Sequence, residues 1–269
     1  MFDTAKYGAW AVIAGGSEGV GAELARQLAE RGINLVLVAR KPEPLAEIAE
    51  AVADLGVKVR TVQQDLLVPD ALDRVREITD PLDVGLFVYN AGSNTYRGEF
   101  VESDEAGVQG VIDLNITAPL AFLRHFGNRL KHRGAGGVIV LGSVASFVGH
   151  ASIAPYVAAK AFLRIFIEGL WVELKPHGVD VLELCLGLTR TPAMERLGYD
   201  FDKPGQKSSS PAVVAAEGLA HLAEGPSWIA DGQLNGAKEK TSFPRATIVA
   251  GVDAEYRAMS APEPAGNTL

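Results

Sequence analysis

Tyr156 and Lys160 stand four residues apart in the run Tyr156-Val157-Ala158-Ala159-Lys160, and Ser143 lies upstream at the end of the apolar stretch Gly137-Val138-Ile139-Val140-Leu141-Gly142. A phenol that releases a proton, an ammonium one turn along the same helical face and a hydroxyl that donates to an oxygen would together protonate a carbonyl. Hydride transfer to a ketone makes an alkoxide that must gain a proton as it forms. A phenol with an ordinary pKa of about 10 is poorly matched to neutral pH, and nearby positive charge would lower it. A tyrosine and a lysine at this spacing also arise by chance on helix surfaces, so the elements around them decide what the pair means.

Those elements alternate. Short apolar runs predict strands near Trp10 to Ala14, Leu35 to Ala39, Val57 to Val62, Val84 to Tyr89, Gly137 to Leu141 and Val179 to Leu184, with a seventh near Trp228 to Ala230. Longer segments of helical period separate them: Leu24, Ala25 and Leu28 face inward on one, and Leu45, Ile48, Ala49, Val52 and Leu55 form a stripe on the next, which Gly56 stops. Nearly unbroken apolar strands are buried on both faces. The predicted fold is therefore an α/β, Rossmann-like, doubly wound parallel sheet of about seven strands with helices on both faces. It forms one domain over residues 1–260. A ligand of such a sheet sits beyond the carboxyl ends of its strands, where Ser143 emerges. Residues 192–211 are rich in Gly, Pro, Lys and Ser and are read as a lid over a substrate, and 261–269 as a frayed tail.

Directly after the first strand comes Ala14-Gly15-Gly16-Ser17-Glu18-Gly19-Val20-Gly21. Glycines let the strand turn sharply into a helix and let a diphosphate approach the backbone amides. The spacing Gly-x-x-x-Gly-x-Gly differs from the common dinucleotide fingerprint, and no Lys-Ser/Thr pair follows it as in a P-loop. The second strand ends Ala39-Arg40-Lys41, cations where an NAD site would hold a carboxylate. They point to the 2′-phosphate of NADP(H) in preference to NAD(H), with the planar fork of Arg40 the better partner.

The remaining composition narrows the field. A net charge of −8 argues against a nucleic-acid surface, and the start of the chain does not read as a signal peptide. No apolar run approaches a membrane span, so the cytoplasm is the expected location. The single cysteine, Cys185, reads as a buried strand residue. Histidines 125, 132, 150, 177 and 221 lack metal-like spacing, His150 is a candidate to line the pocket but reads more readily as an ordinary loop residue, and no Gly-x-Ser-x-Gly elbow surrounds Ser143. Neither a zinc site nor a serine hydrolase is expected.

From about Ala9 to Thr191 these residues resemble the short-chain dehydrogenases/reductases. Gly15, Gly19 and Gly21, with Ser17, Glu18 and Val20 between them, look like that family's cofactor turn, Asp65-Leu66 like its adenine contact, and Asn90-Ala91-Gly92 like its element after the fourth strand. Asn115, Ser143, Tyr156 and Lys160 match its catalytic tetrad, and Gly187, Thr189 and Thr191 its segment closing over the nicotinamide. The resemblance implies that Asn115 holds a water in a proton relay behind Lys160, that Tyr156 and Lys160 also touch the cofactor, and that the protein is a homodimer or homotetramer. Ala14, Tyr89 and Leu186 depart from the family's usual Thr, Asn and Pro, and residues 227–269 lack its common ending. The reading is an NADP(H)-dependent oxidoreductase acting on a small carbonyl or secondary alcohol. Phe147, Val148, Ile153, Met194, Leu197 and Phe201 suggest that this substrate is apolar or amphipathic, the alternative being that they are core or lid packing. The alternative is a non-catalytic NADP(H)-binding regulator of the same fold, which the intact tetrad disfavours.

Overall fold

The computed structural model describes residues 2–202 and 207–260. Seven strands, β1 (Trp10–Ala14), β2 (Asn34–Ala39), β3 (Val59–Gln63), β4 (Val84–Tyr89), β5 (Gly136–Ser143), β6 (Val179–Leu186) and β7 (Ser227–Ile229), form one sheet in the order 3-2-1-4-5-6-7. Every neighbouring pair is parallel. The chain reverses its direction of travel across the sheet after β3, so β1 and β4 flank the switch point where a doubly wound fold binds its ligand.

Helices α1 (Gly19–Ala29), α2 (Pro42–Ala53) and α8 (Pro211–Ala220) cover one face, burying Leu24, Leu28, Leu45, Val52 and Leu219 against Ile13, Leu37 and Leu184. The other face holds α3 (Ala71–Thr79), α5 (Ala118–Arg133) and α6 (Ala154–Leu174), with α4 (Glu105–Ile112) packed against α6. Under α5, Phe87 and Phe126 stack with ring centroids 4.2 Å apart and Phe122 lies beside them. Tyr89 joins this cluster and its hydroxyl donates to the carbonyl of Leu114 at 3.3 Å, which accounts for an aromatic ring at a position read as a departure.

Three local readings change. The third strand starts two residues late, because β3 is an edge strand with one exposed face and Val57 and Lys58 only lead into it. Leu55 does not join the α2 stripe: the helix stops at Ala53 and Leu55 is 46% exposed. Helix α4 runs into α5 through a π-helical turn, Asp113–Thr117, giving a continuous helical run Glu105–Arg133 that by length and composition is apolar enough to cross a membrane. Here Phe122, Phe126 and Leu130 press it onto the sheet, the role of a core helix.

The lid reading spans α7 (Pro192–Arg196) and the segment up to α8, of which residues 203–206 lie outside the described residues, as does the tail 261–269. After β7 come α9 (Leu234–Lys240) and α10 (Arg245–Ser260), two helices with no counterpart in the sequence reading. Phe126 is fully buried, and Phe126→Ala should lower stability in urea denaturation by about 3–5 kcal/mol.

Candidate active site

The site lies along the carboxyl edge of the sheet. Ser143 is the last residue of β5, paired with Leu186 of β6, and its Oγ accepts a hydrogen bond from the amide of Ala145 at 3.2 Å. Tyr156 and Lys160 sit in the first two turns of α6 and face it. Lys160 is 4% exposed; its Nζ donates to the carbonyl of Leu141 at 2.9 Å and lies 5.8 Å from the Tyr156 ring centroid. The nearby hydroxyl of Ser146 is buried and has no hydrogen-bond partner among the described residues.

Burial governs the protons. It pushes Lys160 down to about 8, with the charge of Glu183 resisting, and Tyr156 up to about 12, with the Ser143 hydroxyl pulling the other way. The expectation that Lys160 draws the phenol below its ordinary value is therefore not met by the protein groups alone. Desolvation dominates at the phenol, and the neighbouring ammonium is itself destabilised by burial.

Asn115 occupies the centre of the π turn and is fully buried. Its amide Nδ2 donates to the carbonyls of Val111 at 2.9 Å and Ser93 at 3.0 Å, while its Oδ1 has no partner among the described residues. A carbon added at Gly92 would stand 3.0 Å from both Asn115 Oδ1 and Lys160 Nζ, so the two polar atoms face the same small space. A π turn widens the helix and re-aims side chains, which explains how a residue inside an apolar helix comes to point into the site.

Opposite this wall stands the glycine turn. Gly15 has φ +86°, and a Cβ on Gly21 would meet the carbonyl oxygen of Gly15 at 2.1 Å, so neither position accepts a side chain. Asn90 braces the turn by donating from Nδ2 to Gly15 O at 2.6 Å, and the amides of Asn90 and Ala91 both donate to Ala14 O. The amides of the first turn of α1 receive no side-chain cap, leaving the helix start to an external anion. Residues of the turn fit a dinucleotide diphosphate on these grounds. Thr191 caps α7, its Oγ1 accepting from the amide of Met194 at 3.3 Å, and Thr189 donates to Gly187 O at 3.1 Å.

The cations after β2 divide. Arg40 is largely exposed, with its guanidinium 4.0 Å from Asp65 Oδ2, while Lys41 turns to Glu18 at 3.4 Å. Glu18 also binds Arg196 of α7 at 2.5 Å, and that guanidinium holds its carboxyl below the usual range. Asp65 Oδ1 accepts from the amide of Leu67, and Leu66 is buried in the adjoining core. Ser17 lies partly exposed in the turn.

A cavity of about 550 Å³ joins the two walls, touching Gly19, Asn90 and Gly187 on one side and Ser143, Tyr156 and Lys160 on the other. It is also lined by residues the sequence reading missed: Gln233, Lys240, Val252 and Tyr256 come from the unassigned C-terminal segment. Tyr256 meets the Tyr199 hydroxyl at 3.1 Å and packs on the His150 ring with centroids 4.8 Å apart. Asp253 accepts from the amide of Ala151 at 2.9 Å. His150 is thus a buried cavity residue, not an ordinary loop one. No local signal announces these contacts, because each joins residues far apart in sequence.

The family model for the short chain dehydrogenases matches residues 9–200. The chain belongs to that family. It is 32% identical over 236 residues to a 7beta-hydroxysteroid dehydrogenase of Clostridium sardiniense, covering 87% of this chain and 90% of that one. A very-long-chain 3-oxoacyl-CoA reductase of Neurospora crassa is 35% identical over 198 residues, 71% of this chain and 59% of the relative, so this chain spans about three fifths of that protein. Among solved structures, one from work on 7beta-hydroxysteroid dehydrogenase stereoselectivity superposes with TM-score 0.85 at 26% identity, covering 93% of this chain and 99% of the other. A short-chain dehydrogenase from Sphingobium yanoikuyae in complex with NADPH gives TM-score 0.76 at 28% identity, with 97% and 99% covered. This short-chain dehydrogenase is accordingly an oxidoreductase of a family that uses a nicotinamide cofactor. Gly21→Ala should weaken binding of the reduced nicotinamide cofactor about tenfold or more in a fluorescence titration, because the added methyl collides with the turn it helps to build.

Proposed function

We propose that this enzyme interconverts a ketone and a secondary alcohol with NADP(H), Tyr156 passing the proton to and from the substrate oxygen. The observation that carries this reading is the convergence of Ser143, Tyr156 and Lys160 on one wall of a cavity whose other wall is the glycine turn. Glu18, Gly19, Val20, Asn90, Gly92, Gly187, Thr189 and Thr191 line the cofactor side of that cavity. The cofactor, when bound, supplies or accepts the hydride. Ser143 donates to the substrate oxygen and stabilises the growing alkoxide, and Tyr156 protonates it. Lys160, held by the Leu141 carbonyl, lends positive charge to the phenol, and Asn115 Oδ1 faces the same space from behind, suited to passing a proton on through water.

NADP(H) is favoured over NAD(H) by Arg40 and Lys41, which stand at the end of β2 in place of a carboxylate. Arg40 is the freer of the two, since Lys41 shares Glu18 with Arg196. The substrate is an apolar or amphipathic ketone, in keeping with Ile153, Leu188, Met194, Leu197 and Val252 around the cavity, and with the steroid and long-chain acyl relatives. Residues 192–211 serve as its lid. Phe162, Ile165 and Val172 form an exposed apolar face on α6 suited to pairing two copies.

Three outcomes test this. Tyr156→Phe should cut kcat for NADPH-dependent ketone reduction by about a hundredfold or more, and retained turnover would overturn the mechanism. Arg40→Ala should lower the NADPH-to-NADH ratio of kcat/KM about tenfold. Lys160 has its folded pKa depressed to about 8, so its ammonium is present below that value and lost above it; kcat/KM for reduction should fall as pH rises through that range.

A further inference from the structure

Glu183 is a carboxyl group the reaction does not use, yet it is buried to 0% exposure in the middle of β6. One of its oxygens accepts from Ser227 Oγ of β7 at 3.1 Å, and the weak donor of the Cys185 thiol also acts on the carboxyl. A fully buried carboxyl held by two neutral donors calls for a reason. Its position offers one. A Cβ added to Gly142 would lie 2.3 Å from Glu183 Oε1, so the carboxyl fills the place of a side chain on the residue immediately before Ser143. The residue on the other side of Gly142 is Leu141, whose carbonyl holds the Lys160 ammonium.

The charged and titratable neighbours are few. From α6, Lys160 and Arg164 present positive charge to Glu183, and along β6 the Cys185 thiol lies beside it. Arg164 directs its guanidinium to Glu168 at 3.3 Å and lies over the Phe147 ring. β5 contributes Val140 and Gly142, and β7 the Ser227 hydroxyl. Among the described residues, the acids whose charge reaches Lys160 are Glu183 and Cys185, and burial pushes the thiol far above neutrality.

We propose that Glu183 is a positioning residue for proton transfer: its carboxylate, seated over Gly142 and held by Ser227, keeps Lys160 charged and so sets the upper pH limit of carbonyl reduction. The proposal rests on the reading of Tyr156 and Lys160 given above. Burial drives the two groups toward neutrality from opposite sides, Glu183 upward and Lys160 downward, and each charge restrains the loss of the other. Without the carboxylate, the Leu141 carbonyl is left to hold the ammonium against desolvation with no neighbouring negative charge. Its proton leaves at lower pH, and the phenol loses its neighbouring cation earlier.

The test is the pH profile of kcat/KM for NADPH-dependent ketone reduction in wild type, Glu183→Gln and Glu183→Asp. The alkaline limb should move to lower pH in Glu183→Gln by roughly half a unit or more, and Glu183→Asp, which keeps the charge, should lie nearer to wild type. A folded Glu183→Gln with the wild-type limb overturns the proposal. If that variant does not fold, the reciprocal coupling is read in Lys160→Met by infrared spectroscopy. At a pH where surface carboxyls are ionised, the protonated-carboxyl band should be stronger than in wild type, and an unchanged band overturns the proposal. Turnover surviving in Tyr156→Phe would instead defeat the underlying reading, whereas an inactive Tyr156→Phe with an unmoved limb defeats the role of Glu183 alone.

Discussion

The site depends on keeping an ammonium group inside the protein. Lys160 is almost wholly buried, and one backbone carbonyl, that of Leu141 two residues before the end of β5, holds it. Burying a cation is costly, and a buried lysine tends to shed its proton. The sheet pins the carbonyl, α6 packs across the same face, and the π turn brings Asn115 to the far side of the lysine. Ser143 at the strand end and Tyr156 one turn from Lys160 are then placed by the same two elements. A shift of α6 relative to β5 would disturb all three groups together.

The opposite wall is built by a different physical constraint, exclusion of side chains. Gly21 touches the carbonyl of Gly15, and Asn90 closes the same turn from β4, so the amides at the start of α1 are presented at a defined place. Helix α7 is tied to this turn through Arg196 and Glu18, and α10 is tied to the loop before α6 through Asp253 and Tyr256. The cavity between the walls is thus bounded by segments at both ends of the chain. The C-terminal segment contributes Lys240, Val252 and Tyr256 to its lining, while Ser143, Tyr156 and Lys160 come from β5 and α6.

Much of this was legible in the sequence wherever it is written locally. Apolar strands buried on both faces stand out as runs, a glycine-rich turn marks its own helix start, and Ser143 announces itself by ending a strand. Leu55 was misplaced because helical period continues past the point where α2 stops, and the exposed side chain costs little there. The π turn at Asn115 was invisible since nothing in Asp113–Thr117 distinguishes a wide turn from an ordinary one. Tyr256 and Asp253 were missed, and His150 was given the less telling of its two readings, for another reason: their meaning comes from contacts such as Ala151 with Asp253, more than a hundred residues apart in the chain. Glu183 was hidden in plain view within a strand, where only the packing shows that its carboxyl reaches the Gly142 backbone.

The most direct test of the central claim follows the Tyr156 proton itself. Burial raises this phenol above its ordinary value, so positive charge brought to the site must do the work of lowering it. Carbon-13 NMR of ring-labelled tyrosine, with Tyr156 assigned by Tyr156→Phe, would report its titration with and without NADP+. The account predicts a value well above the ordinary one of about 10 in the free protein and a clear fall when the cationic nicotinamide binds. A Tyr156 that titrates at the ordinary value in both states would contradict it.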